Sequence, residues 1–404
     1  MDQERFTALW RSLEPIGRDG GTGGYLRFAY SPAEVACREW FIEEALDRNL
    51  SVETDRNGNI WAWWGDPGAG AGVVTGSHLD SVPHGGGFDG PLGIVSALLA
   101  VDLMRERGVE PTRPLGLVAF AEEEGSRFGL ACLGSRLLTG AVDPGRARGL
   151  LDSSGATLAQ VLAAAEINPD GIGPEPDRVG RIESFVELHI EQGRALVELA
   201  APVGVASAIW PHGRWRLEVT GEGNHAGTTR MADRRDPMLT AAFAVLAANK
   251  QARLASAHAT VGRIEARPNA TNAIAAEVTA WLDARSPDQS SLDTLVQAIR
   301  TQVGDRAGRD GTTVSWTAES ITATVEFHRG LTERLAGRLG GVPVLATGAG
   351  HDAGVLAAAG VPTTMLFVRN PTGVSHAPAE RADPVDCAAG VEALADVLTE
   401  LACR

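Results

Sequence analysis

One stretch, residues 75–93 (TGSHLDSVPHGGGFDGPLG), constrains this chain more than any other. The β-branched pair Val73 and Val74 leads into it as a strand. The chain then leaves that strand through His78-Leu79-Asp80 and a glycine-rich loop with Asp89 at its end. Side chains two apart on an extended chain share a face. Asp80 can therefore hold one ring N–H of His78 while the other nitrogen meets a metal ion. Asp89 brings two oxygens, enough to bridge two ions. Gly85–Gly87 and Gly90 let the backbone fold tightly there. A lone His-x-Asp is more often an ordinary pair. The metal reading therefore depends on further donors at the ends of neighbouring strands.

The pattern along the chain supplies those strands. Ser31-Pro32-Ala33-Glu34 is a helix start, with Ser31 as cap, and Cys37, Phe41 and Leu46 follow at helical spacing. Strands are expected at 51–54 and 59–64, with Asn57-Gly58 as the hairpin turn. Strand 73–75, helix 93–107, strand 115–121 and helix 130–138 then alternate, which argues for parallel strands in an α/β sheet. Sites in such sheets form at the carboxyl ends of strands. Residues 184–190 give another strand. From 213 to 325 the order becomes β-α-β-β-α-β, the pattern of a ferredoxin-like unit. Strand 342–345, helix 353–359 and strand 363–368 resume the α/β pattern. The expected fold is α/β: a mixed-sheet domain with helices on both faces, built from 1–212 and 326–404. A ferredoxin-like α+β domain is inserted at 213–325.

Further donors fall at strand ends. Glu122-Glu123-Glu124 follows strand 115–121. Three adjacent acids are usually a solvated loop, but a buried cation would offset their repulsion. Neighbours on an extended chain point opposite ways, so Glu124 can bind metal while Glu123 faces water as general base. His189 ends an apolar strand, where a core histidine held by a carbonyl is the plain alternative. His376 sits on a loop, where a surface histidine is the plain alternative. Together His78, Asp89, Glu124, His189 and His376 offer nitrogen and oxygen donors and no thiolate. That set suits two divalent ions such as Zn²⁺ or Mn²⁺, with Co²⁺ or Ni²⁺ as substitutes.

Charge narrows the partners. The net charge of −15 is spread along the chain, with no Lys/Arg stripe to meet phosphates, so nucleic acid is not an expected partner. The four cysteines have no CxxC spacing and read as reduced thiols. No apolar run reaches about 18 residues, and the start, MDQERFTALW, lacks a signal-peptide core, so no membrane association and a cytoplasmic location are expected.

The segments GSHLDSVPHGGGFDG, AEEEGSRFG, ELHIEQG, GEGNHAGTTRM with RRDP, RPNATNAI, LDARSPD, GAGHDA and GVSHAPAE stand in this order. In them the chain resembles the M20 metallopeptidase family, in its N-carbamoyl-L-amino-acid hydrolase, allantoate amidohydrolase and β-ureidopropionase branch. The resemblance implies two metals: one with His78 and His189, the other with Glu124 and His376, and Asp89 bridging. It implies Glu123 as base and then acid, and Asp80 orienting His78. It implies His225 and Asn272 at the oxyanion, Arg285 on the substrate carboxylate, and Gln192 and Gly350 lining the pocket. A guanidinium suits a planar carboxylate; an exposed salt bridge is the other reading of Arg285. His351-Asp352 reads as structural. The inserted domain would act as a lid and form a homodimer. Arg230 and the 368–371 segment depart from the family wording, which leaves side-chain preference open. The expected activity is hydrolysis of a ureido C–N bond in a small molecule with a free carboxylate. An aminoacylase or dipeptidase of the same family, or a non-catalytic binding or scaffold protein on this fold, are the alternatives.

Overall fold

The computed structural model describes residues 1–403. The chain divides into two compact units, Met1–Ser207 with Glu326–Arg404, and Ala208–Val325.

The first unit is built on a nine-stranded mixed sheet. Its order is Ser51–Thr54, Ile60–Trp64, Leu115–Phe120, Gly72–His78, Ile182–Ile190, Thr363–Val368, Val203–Ile209 and Val325–Glu326, with Val344–Thr347 also paired to Val203–Ile209. The four central strands, Leu115–Phe120 through Thr363–Val368, run parallel. Gly72–His78, Leu115–Phe120 and Thr363–Val368 are buried at every residue, so both faces are covered. That is why they read as continuous apolar runs rather than alternating ones. The outer pair is a hairpin in the register Ser51↔Trp63. Its turn closes through Gly58 at φ +87°, with the Asp55 carboxylate accepting the Asn57 and Asn59 N–H groups.

Helices follow their local signals. Ser31 caps Pro32–Asp47 through the Glu34 N–H. Its core face is Cys37, Trp40, Phe41 and Ala45; Leu46, expected inside, is exposed. Pro91–Glu106 is buried nearly all round, from Pro91 to Val101, and packs against Pro384–Ala402. Each large side chain buried there contributes roughly 1.5–3 kcal/mol.

The second unit has a four-stranded antiparallel sheet in the order Thr313–Thr322, His212–Thr220, Glu277–Arg285, His258–Arg267. Helices Pro237–Leu254 and Gln289–Asp310 cover one face. Ala244, Ala248, Leu295 and Ile299 pack there on Trp215, Leu217, Ala280 and Leu282. The alternation along 277–285 is complete, every second residue from Val278 to Ala284 being buried.

Candidate functional site

Four parallel strands end side by side, and each delivers polar groups at its carboxyl end. His78 is the last residue of Gly72–His78, and His189 the penultimate residue of Ile182–Ile190. Glu122–Glu124 follow Leu115–Phe120, and the loop of His376 follows Thr363–Val368. The ladder register sets His78 opposite Phe120 and His189 opposite Phe367. Parallel pairing thus brings residues more than a hundred positions apart into one place.

Three donor groups form among the described residues; two share Asp89, and the third is Glu187, His189 and His351. Ligand atoms of His78, Asp89 and His189 all lie within 4.8 Å of one another, as do those of Asp89, Glu124 and His376. His189 Nε2 is 3.1 Å and His78 Nε2 3.7 Å from Asp89 Oδ1. His376 Nε2 is 3.3 Å from Asp89 Oδ2 and 3.6 Å from Glu124 Oε2. Each oxygen of Asp89 therefore faces a different group. His78 and His189 turn their Nδ1 atoms to backbone carbonyls, of Asp80 at 3.2 Å and Ile190 at 2.9 Å. That fixes both rings with Nε2 aimed inward.

Though close to carboxylate oxygens, three inward atoms make no hydrogen bond of proper geometry. His78 Nε2, His189 Nε2 and Glu124 Oε1 are buried without a hydrogen bond. Unsatisfied buried polar atoms are costly, and their place in the two donor groups sharing Asp89 fits the coordination of cations. The charges agree. Asp80, Asp89, Glu122, Glu123, Glu187, Asp352 and Glu380 are all buried in this unit. Burial and the Asp89 charge push Glu124 up to about 7. Burial, with the charges of Asp352, Glu124 and Asp80 added, lifts Glu123 well above the carboxylate range. Burial works against the charged form of Asp89 too, but His189, His376 and His78 outweigh it and hold its carboxyl well below the usual range.

Glu123 stands beside these groups. Its Oε2 is 3.7 Å from His78 Nε2, and its Oε1 accepts the Cys132 thiol at 3.2 Å. Asp80 does more than face His78, with Oδ1 3.4 Å from Nδ1. Its two oxygens also accept the N–H groups of Glu123 and Glu124, at 3.2 and 3.0 Å. The three glutamates do not alternate along an extended chain as expected. Glu122 takes φ +53°, and its carboxylate turns back to accept the N–H groups of Arg127 and Phe128. The loop is curled around Glu122, and that curl separates Glu123 from Glu124.

Gln192 lies next to Asp89, donating from Nε2 to Oδ2 at 2.7 Å. Gly350 is exposed, with open space where a Cβ would stand. His351 is buried and sits edge-on to His189, ring centroids 4.5 Å apart. Burial and the neighbouring His189 hold it well below the usual histidine range. Asp352 accepts the Ser135 hydroxyl, and Glu187 accepts Ser77 and the Ala353 N–H, a buried polar floor under the histidines. The sequence reading missed Glu122, Glu187, Ser375 and Glu380. All four lie inside motifs that it singled out or in the strand that carries His189.

The glycines of the loop stand where the chain folds tightly. Only Gly90 faces a donor: a Cβ there would meet the His78 ring at 2.4–2.6 Å. Gly87 faces the Tyr25 ring, Gly85 faces Val82 and Gly86 faces Glu380. The loop packs closely on those side chains.

The remaining three residues belong to the second unit. His225 lies on the two-residue strand Asn224–His225, paired with Ala273–Ile274 in the register Ala273↔His225. Asn272 is exposed, and its carbonyl accepts the Ala226 N–H at 3.0 Å. These bonds hold His225 and Asn272 on adjoining segments. Arg285 ends Glu277–Arg285 and its Nε donates to Asp283 at 2.9 Å.

Known proteins share this arrangement of sequence and fold. The profile of peptidase family M20/M25/M40 matches residues 74–400. The chain is 35% identical over 406 residues to an N-carbamoyl-L-amino acid amidohydrolase of Geobacillus stearothermophilus, with 98% of each chain covered. It is 34% identical over 403 residues to an allantoate amidohydrolase of Escherichia coli K12, with 96% of each covered. An amidase of the hydantoinase/carbamoylase family from Burkholderia vietnamiensis superposes with a TM-score of 0.86 at 30% identity, over 100% of this chain and 98% of that one. The chain belongs to peptidase family M20/M25/M40, a family of metal-dependent hydrolases.

Proposed function

We propose that this protein hydrolyses the ureido C–N bond of an N-carbamoyl-L-amino acid or of allantoate, releasing carbon dioxide and ammonia. The observation that carries this reading is the pair of donor groups sharing Asp89 with the Glu123 carboxylate alongside. His78 and His189 would hold one divalent ion, Glu124 and His376 the other, and Asp89 both. Two divalent ions of the Zn²⁺ or Mn²⁺ kind supply Lewis-acid polarisation of the carbonyl and lower the pKa of nearby water. Glu123 takes a proton from water as its oxygen adds to the carbamoyl carbon. It returns that proton to the departing nitrogen, and the carbamate left behind breaks down. Asp80 keeps Glu123 and Glu124 in place through their N–H groups. His225 and Asn272 are the proposed donors to the oxyanion, Arg285 the proposed partner of the substrate carboxylate, with Gln192 and Gly350 beside the substrate.

The names of the Geobacillus and Escherichia relatives support a ureido substrate over a peptide. The decisive test is a substrate panel. Chelated protein given back Mn²⁺, Zn²⁺ or Co²⁺ is offered N-carbamoyl-L-amino acids, allantoate, 3-ureidopropionate, N-acetyl amino acids and dipeptides. Turnover of a ureido compound at least tenfold above every acyl compound is expected. Cleavage of N-acetyl amino acids or dipeptides alone would make the protein an aminoacylase or peptidase, and no cleavage with metal bound would favour a binding protein.

We also propose a homodimer formed through the second unit. Leu246, Leu254 and Ile264 are exposed there, and His258–Arg267 is an edge strand with one side unpaired in its sheet. Light scattering should return twice the chain mass. Four free cysteines suit a reducing compartment such as the cytoplasm, and no helix among the described residues is long and apolar enough to cross a membrane.

A further inference from the structure

Glu380 lies four residues past His376 and has no part in the scheme above. It is buried, 6% exposed. Its Oε1 accepts the backbone N–H groups of Phe88 and Asp89, at 2.9 and 3.0 Å. Its Oε2 is 3.3 Å from the Ser375 hydroxyl, which is also 3.1 Å from Asp89 Oδ2. That hydroxyl has one proton to share between the two carboxylates. One side chain thus ties the loop carrying Asp89 to the loop carrying His376.

The glycine loop is shaped for this contact. A Cβ on Gly86 would fall 2.3–2.4 Å from Oε1, Cβ and Cδ of Glu380. A carboxylate buried next to Asp89 is costly, and hydrogen bonds from two N–H groups and a hydroxyl are what offset it.

We propose that Glu380 is a positioning residue for the ion held by Asp89, Glu124 and His376. The inference rests on the metal-centre reading. His78 and His189 are held by strand ladders, Gly72–His78 and Ile182–Ile190, which need nothing from Glu380. Asp89 and His376 lie on loops; Ser375 and Gln192 link them at the Asp89 carboxylate, and Glu380 adds the link to the backbone of the Asp89 loop. Asp89 serves both ions, but one of them keeps two ladder-held histidines while the other also depends on loop-borne His376, so loss of the clamp loosens the second ion far more than the first.

The test is metal binding, not turnover. Chelator-stripped protein is titrated with Zn²⁺ in a metal buffer, and ions per chain are counted. The wild-type protein should take up two ions per chain. Glu380→Ala should weaken one of them by about 10–100-fold and leave the other within about threefold. Far-UV circular dichroism should not change. Glu380→Gln keeps an acceptor for the two N–H groups and should restore most of the loss. Gly86→Ala leaves Glu380 in the chain but takes its space, and should reproduce the selective loss. Two ions at wild-type affinity in Glu380→Ala, or both weakened alike, would overturn the proposal. Should Glu380→Ala not fold, unchanged binding in Gly86→Ala overturns it in the same way. A wild-type protein that takes up no ion fails at an earlier step, and refutes the metal-centre reading itself.

Discussion

Gly90→Ala tests the placement of His78 without altering any proposed ligand. Gly90 has φ +87° and ψ −61°, a conformation that costs an L residue about 1–3 kcal/mol. Its new Cβ would stand 2.4 Å from Cε1, 2.5 Å from Nδ1 and 2.6 Å from Nε2 of His78. Carbon atoms in contact settle at about 3.5 Å, so ring or loop must give by ~1 Å. The ring has little room, being fully buried with Nδ1 against the Asp80 carbonyl. Forcing extra volume into such packing costs about 1–3 kcal/mol. Together these give a loss of ~2–6 kcal/mol in metal-free stability. A ligand displaced by that much should also lose about 10–100-fold in metal affinity, or ~1.4–2.8 kcal/mol. The assay is Zn²⁺ uptake at buffered free metal, with denaturant unfolding in chelator alongside. Wild-type affinity together with wild-type metal-free stability in Gly90→Ala would refute the argument, because neither steric clash nor backbone strain would then be real.

Three other outcomes are expected. Glu123→Gln should keep both ions and lose at least ~10²-fold in kcat; turnover within tenfold of wild type would assign the base elsewhere. His376 is pushed up to about 9 in the metal-free protein, first by Asp89 and against burial. Since this folded value lies above the ordinary 6.5, protonated His376 stabilises the metal-free fold fully below 6.5 and loses that contribution as pH rises through 9. A cation must displace that proton, so metal affinity should rise across this window. Calorimetry at pH 8 should show proton release as a dependence on buffer ionisation enthalpy, and a heat independent of buffer would contradict it. Of the four thiols, Cys37, Cys132 and Cys387 are buried and Cys403 is partly open. A thiol-specific disulfide reagent should titrate about one per chain promptly in the native protein and all four after denaturation; more than one fast thiol would mean the core opens readily.

The sequence carried the strand-borne part of the site well. His78 and His189 sit at the ends of apolar runs, and strand ends in a parallel sheet are where polar groups collect. The hairpin at Asn57-Gly58 and the cap at Ser31 were legible because each rests on two or three adjacent residues. What was not legible was what backbone conformation and packing decide beyond the spacing of side chains. Glu122 looked like the first of three alternating acids, but its left-handed backbone and its bonds to Arg127 and Phe128 curl the loop. The glycines read as places for a tight fold, but that they admit Tyr25, His78 and Glu380 was not legible from local spacing. Helix Pro384–Ala402 went unread although it is largely buried. Gly390 inside it argues against a helix locally, yet that glycine admits Val368 to within 2.5 Å of where a Cβ would be. Leu46 was expected inside by helical spacing, and the smaller Ala45 takes the core position.

Unbonded buried groups gather most densely in one region, and the deficit there has a direction. Elsewhere in this unit, buried acids are answered by donors or cations: Asp55 by Trp61 and two asparagines, Glu34 by Arg38 and the Tyr30 N–H. Around Asp89 the answer is incomplete. Two histidine nitrogens and a glutamate oxygen are left unbonded in a space walled by carboxylates. A chain that satisfies its polar groups so fully in the hairpin, yet leaves these, has placed the deficit where positive charge can cancel it. Protons are one such charge, and the pKa values of Glu123, Glu124, His78 and His189 are all raised in this setting. Divalent ions are another, and the two donor groups sharing Asp89 gather nitrogen and oxygen atoms suited to them. Loading the centre therefore exchanges protons for ions, and folding, metal affinity and pH are linked through the same few side chains.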